Sequence, residues 1–189
     1  GLTHAEESVR RSSCYGLKIS GSAQANKILP FVVNQRVSIR RLAVYALGES
    51  ANGLNVQVVR ALLSALTKDQ DDLVRSNAAY AMGQILRCKD VDFSEVIDAL
   101  IQRLAPGVEP NNTDVALFPR STVRQSIAYS LLQAASNHEF SASQIEKLLA
   151  LTLEDDDRYV QGFSIEITRQ NQNLSAKSLE VLLAALSRL

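Results

Sequence analysis

Residues 39–48 read IRRLAVYALG and residues 74–83 read VRSNAAYAMG. Each stretch opens on a branched aliphatic residue and Arg, runs through small or apolar residues to Tyr, and closes on Gly. The frame returns as VRRSSCYGLK from Val9, as VRQSIAYSLL from Val123 and, degraded, as VQGFSIEITR from Val160. The starts lie 30, 35, 49 and 37 residues apart. Tyr15, Tyr45, Tyr80 and Tyr129 form one column, which Glu166 breaks; Arg10, Arg40, Arg75 and Arg124 form another, which Gln161 breaks. Self-similarity at a spacing of roughly 20–50 residues marks a repeat architecture, and each repeat is one supersecondary unit unable to bury its apolar face alone.

A second pattern follows each first one. Val59, Leu62, Leu63 and Leu66 are spaced by three and four residues, as are Ile97, Leu100, Ile101, Leu104 and Leu179, Leu182, Leu183, Leu186. Ile145, Leu148 and Leu149 fit with Thr152 as a weak last member, and Ala25, Ile28, Leu29 and Val32 fit around an anomalous Pro30. That spacing draws one apolar stripe on a helix. Each unit is therefore a pair of amphipathic helices, A then B, and the chain is all-α. The breaks between them are polar or carry Gly, as at Ser20-Gly21-Ser22 and Asn52-Gly53. Units fall at about 6–35, 36–68, 69–105, 120–153 and 154–189, with an insertion over 105–120. Asp72 and Asp157, just ahead of two A helices, are expected to cap them, and Ser38 and Ser121 to do so for their own units. Gly48 and Gly83 recur late in A helices, where Gly costs about 1 kcal/mol relative to Ala. They mark either a close helix approach or the helix end. Leu47 and Leu63 are expected to be buried between adjacent helices.

The VRxxAAYALG frame followed by xLLxxL resembles HEAT-like repeats, in particular the short type of the phycobilin lyases. The resemblance runs over about residues 6–189. It implies a right-handed α-solenoid of about five hairpins and ten helices, with A helices convex and B helices lining a concave side. It also implies that the Arg column pairs with acids between repeats. The fifth unit has lost the Arg, Tyr and Gly columns, as a terminal unit is expected to do.

Composition narrows the function. Lys plus Arg and Asp plus Glu both number 20, so no overall field draws nucleic acid or an anionic membrane. The charge is graded: residues 1–50 carry seven Lys/Arg against three Asp/Glu, and the later stretches are mildly acidic. No apolar run approaches the length of a membrane span. No secretory leader is visible, the cysteines Cys14 and Cys88 read as reduced thiols, and a cytoplasmic location is expected. The opening Gly-Leu without Met fits one piece of a larger protein or complex.

No catalytic, metal or cofactor site is expected. His4 stands in the N-terminal tail and His138 in a loop, neither beside a nucleophile or ligand set. The acidic run 154–157 lacks the spaced ligands and Gly of a calcium loop and reads as a turn. The Arg column reads as paired rather than as an anion ladder, and the Tyr column as core with hydroxyls reaching partners.

Two surfaces are candidates for binding another protein or peptide. One is the solvent side of the B helices, where Arg60, Asp98, Glu146 and Glu180 hold equivalent places, with Gln102 and Arg103 nearby. The ridge grows more acidic along the chain and suits a partner with a basic end. The other is the insertion APGVEPNNTDVALFPR, whose Pro106, Pro110 and Pro119 forbid a continuous helix. Its apolar Leu117 and Phe118 either bind a partner or fold back as a plug. The expected function is a protein-interaction scaffold or regulatory module, not an enzyme. The alternative, carried by the resemblance, is a chaperone-like lyase that positions a bilin on a protein substrate.

Overall fold

The computed structural model describes residues 25–49, 56–88, 92–109, 122–171 and 174–186, with isolated positions before residue 25. Among these, every regular element is helical: α1 (Ala25–Ile28), α2 (Val37–Glu49), α3 (Val56–Lys68), α4 (Asp72–Ile85), α5 (Ser94–Arg103), α6 (Val123–Ala135), α7 (Ala142–Thr152), α8 (Arg158–Gln170) and α9 (Ala176–Leu186). The four repeat motifs from Ile39 onward lie on α2, α4, α6 and α8, the A helices. The apolar stripes lie on α1, α3, α5, α7 and α9, the B helices. The motif from Val9 falls largely outside the described residues, although Ser8, Val9, Ser12, Ser13 and Gly16 are helical. Pro30 explains the shortness of α1: it lacks an N–H, and the chain passes there into a 3₁₀ turn over Leu29–Phe31.

Stacking follows the sequence period. A helices pack on A helices in the order α2, α4, α6, α8, and each B helix leans on the A helix that comes next: α1 on α2, α3 on α4, α5 on α6, α7 on α8. B helices touch their successors from α5 to α7 to α9. One continuous apolar core threads the stack. Leu47 is buried as expected, but the deep members of the α3 stripe are Leu62 and Leu66. Leu63 is half-buried because it sits at the stripe's edge, between core and solvent.

The recurring glycines mark close approach. A Cβ on Gly48 would lie 2.6 Å from both Cα and Cβ of Ala81 on α4. One on Gly83 would lie 2.9 Å from Ser130 Oγ on α6 and 3.1 Å from its Cα. The glycines also stand within two residues of the last helical residues, Glu49 and Ile85, so close approach and the helix end coincide. Small residues here let two backbones touch. Ser130 Oγ, pressed between α4 and α6, donates one proton shared between Ala79 O and Ser126 O, each at 2.7 Å.

Three expected caps move by one residue or more. Asp71, not Asp72, caps α4, accepting from the Val74 N–H at 3.0 Å, while Asp72 is the first helical residue and turns its carboxylate to Arg75. Thr122 caps α6 in a box with Gln125, whereas Ser121 lies outside the described residues. Ser38 lies inside α2, one residue past its start. Asp157 caps α8 as expected, taking the N–H groups of Tyr159 and Val160. A cap works from the extended residue before the first turn, so a one-residue shift in the helix start hands the role to a neighbour.

Candidate functional site

A ladder of ion pairs joins one repeat to the next, and it is the Arg column. Arg40 on α2 grips Asp69, ahead of α4, with both arms of its guanidinium (Nε to Oδ2 2.7 Å, Nη2 to Oδ1 3.0 Å). Arg75 on α4 reaches Glu109, after α5, at 2.9 Å. Arg124 on α6 reaches Asp155, ahead of α8. Each also donates backward, Arg40 to Asn34 O at 2.9 Å, Arg75 to Asp69 O at 2.8 Å and Arg124 to Ala105 O at 3.4 Å. One residue further on, a second polar set points forward: Arg41 to Asp71, Ser76 to Ser126 and Gln125 to Asp157. Planar guanidinium forks suit carboxylates held in fixed turns. The pairing is strong enough to hold Arg40 and Arg41 above their ordinary pKa. Burial pushes the Asp71 carboxyl up, but the Arg41 guanidinium and the Val74 N–H outweigh it and hold the group below the usual carboxylate range. On Arg124 burial wins and pulls the guanidinium down, with Asp157 and Glu109 opposing. Arg40, Arg75 and Arg124 are thus consumed internally, and Arg10 lies outside the described residues.

Glu109 had no sequence signal beyond its type. It lies inside the insertion, fully buried, between Arg75 and Arg103, and so delivers from a loop the acid that a short turn supplies elsewhere. The acidic run 154–157 is likewise structural: Asp155 serves Arg124, and Asp157 serves α8 and Gln125. Among the described residues no three His, Cys, Asp or Glu side chains group as metal ligands would, and no helix is long and apolar enough to cross a membrane.

Of the Tyr column, Tyr15 lies outside the described residues, and Tyr45, Tyr80 and Tyr129 are not fully buried, so they are not core residues throughout. Tyr45 and Tyr80 are half-buried and stack at 6.0 Å, and Tyr129 is exposed and meets Phe163 edge-on. Tyr80 donates its hydroxyl to Glu49 at 3.0 Å. Burial and the Glu49 carboxylate push that phenol up to about 12. His138 is more than a surface loop residue. Its Nε2 lies 2.7 Å from Leu86 O at the end of α4, and its ring meets Phe93 edge-on. Asn171 does the same one unit later, donating to Phe140 O at 3.0 Å. These two polar pins fix successive hairpin turns onto each other. His4 is exposed in the N-terminal segment.

The B helices keep their polar faces for solvent. Arg60 on α3, Asp98 and Gln102 on α5, and Glu180 on α9 are exposed. Glu146 on α7 is half-buried, accepts from Ser175 at 2.7 Å and meets Lys177 at 3.6 Å. Arg103 is drawn into the pair with Glu109. Gln144 on α7 donates to Asp98 at 3.2 Å, knitting α5 to α7. Lys147 and Lys177 interrupt the expected rise in acidity, which leaves the acidic part of the face on α5, where Glu95 and Asp98 stand one turn apart. Leu117 and Phe118 lie outside the described residues.

Helical hairpins stacked in register, joined by an Arg-to-acid ladder and sharing one core, define an α-solenoid. Residues 32–117 match the family of HEAT repeats. Among solved structures it is similar to the complex of CpcE and CpcF of phycocyanin lyase from Nostoc sp. PCC7120, with a TM-score of 0.64 and 19% identity over 98% of this chain and 67% of that one. It is also similar to the designed armadillo repeat protein YIII(Dq.V1)4CPAF in complex with the peptide (KR)4, with a TM-score of 0.62 and 17% identity over 100% of this chain and 88% of that one. At such identities the likeness is one of fold. No curated protein matches the chain.

Proposed function

We propose that this chain is a non-enzymatic protein-interaction module whose B-helix face holds an extended, partly basic segment of a partner protein. The observation that carries this reading is how the polar groups are divided. The guanidinium groups of Arg40, Arg41, Arg75 and Arg124 on the A helices are paired with acids, whereas Arg60 on α3 and Glu95, Asp98 and Gln102 on α5 are exposed. A segment lying across these helices meets cationic Arg60 first and then the Glu95–Asp98 pair, so its basic part seats on α5. Charge complementarity of this kind sets orientation and association rate more than affinity. The designed armadillo protein in complex with (KR)4 supports a basic peptide as the probe.

The test is fluorescence anisotropy with a labelled (KR)4 peptide. Saturable binding that weakens at least about tenfold in Glu95→Lys/Asp98→Lys, and that falls as salt rises, is expected. Absence of binding, or equal affinity in the double variant, would sink the reading. A second reading, a chaperone-like lyase that positions a bilin, draws on the likeness to the phycocyanin lyase complex. It requires a shift of the bilin absorption band on mixing with this chain, and an unchanged spectrum rejects it.

A further inference from the structure

Gln144 stands at the third position of α7 and closes a capping box with Ser141. Its Oε1 accepts the Ser141 N–H at 3.0 Å, while the Ser141 hydroxyl accepts the Gln144 N–H at 3.2 Å. The first of these bonds decides which way the amide faces. With the oxygen committed to the cap, both protons of Nε2 are left for α5. They go to Ser94 O at 3.3 Å and to Asp98 Oδ1 at 3.2 Å. Gln144 is only 7% exposed, so the group that holds Asp98 is fixed by packing as well as by hydrogen bonds.

The acids of the B-helix face are held differently. Asp98 and Glu146 occupy equivalent places on α5 and α7. Glu146 accepts from Ser175 at 2.7 Å and lies 3.6 Å from the Lys177 ammonium, which offsets its charge. Asp98 is held by an amide, which carries no charge and so fixes the carboxylate without neutralising it. Its second oxygen, Oδ2, is left to a ligand. Glu95, one turn earlier, is exposed, and no hydrogen bond or ion pair holds it among the described residues. A free glutamate loses rotamer freedom when a cation arrives, whereas a carboxylate already held has little left to lose.

On the peptide-binding reading above, on which this step rests, we propose that Gln144 is a positioning residue of the B-helix face. It presets the Asp98 carboxylate, so that Asp98 rather than Glu95 anchors a lysine or arginine cation of the bound segment.

Fluorescence anisotropy with the labelled (KR)4 peptide tests this in single and paired variants. Glu95→Gln and Asp98→Asn each remove one charge from an exposed side chain and leave the fold alone. Asp98→Asn is expected to weaken binding about threefold or more beyond Glu95→Gln. Gln144→Met fills the same space without a donor. It is expected to weaken binding about threefold in the native background and not at all in Asp98→Asn. Ser141→Ala breaks the same capping box yet keeps the backbone N–H that orients the amide, and it is expected to bind as the native chain does. Equal losses in Glu95→Gln and Asp98→Asn, an unchanged affinity in Gln144→Met, an undiminished loss from Gln144→Met on Asp98→Asn, or a matching loss in Ser141→Ala would each overturn the role of Gln144 and leave the peptide face standing. A native chain that does not bind (KR)4 removes the face itself, and the role of Gln144 with it.

Discussion

Gly48 and Gly162 show how far one residue type can differ in meaning within a repeat. Both lie in A helices, where Ala is intrinsically better by about 1 kcal/mol. At Gly48 a methyl group would be driven 2.6 Å from the Ala81 backbone, and a backbone cannot swing aside as a flexible side chain can. Overpacking of that kind costs about 1–3 kcal/mol, more than the propensity gain. Gly48→Ala is therefore expected to lower the melting temperature. Gly162→Ala, facing open space, is expected to raise stability by about 0.5–1 kcal/mol. Calorimetry on the two variants checks the pair, and a stabilised Gly48→Ala would show that α2 and α4 are not in backbone contact. The sequence displayed the recurring Gly but left close approach and helix end both open. The deciding quantity is a distance between repeats, which a one-dimensional pattern does not contain.

Individual elements were read correctly where they depend on periodicity and less well where they depend on a single side chain. The stripes on α3, α5 and α7 and the four A helices fall where spacing and motif place them, because burying an apolar stripe is a property of ten or more residues at once. Caps rest on one oxygen and one helix start, and so Asp71 and Thr122 were missed by a residue. The Arg column was legible, as were acids near its partners Asp69 and Asp155 in the short acidic turns. Glu109 was not, since a lone acid in a proline-rich insertion carries no period. Its burial between Arg75 and Arg103 makes it the sensitive point of the third joint. Removing one member of a buried ion pair leaves an uncompensated charge and costs about 3–5 kcal/mol. Glu109→Ala is expected to lose stability in that range, read as a lower urea midpoint at unchanged slope. A loss below about 1 kcal/mol would mean that water solvates the two guanidinium groups and that the insertion is not anchored at this residue.

At the scale of the molecule, stability is distributed along one dimension. Each A helix is held by the A helices on either side of it and by the B helix before it, so a helix covered on both sides opens only when much of the array opens. α4 and α6 are in that position, each with an A helix on either side and a B helix against it. Among the described residues α9 packs chiefly on α7, and its Leu179 and Leu183 are exposed. Amide hydrogen exchange is therefore expected to show α4 and α6 at the slow limit and α9 faster, by about 2 kcal/mol or more in opening free energy. If α9 is as slow as α4, Leu179 and Leu183 are covered in solution, and the exposure of its stripe does not set its opening free energy.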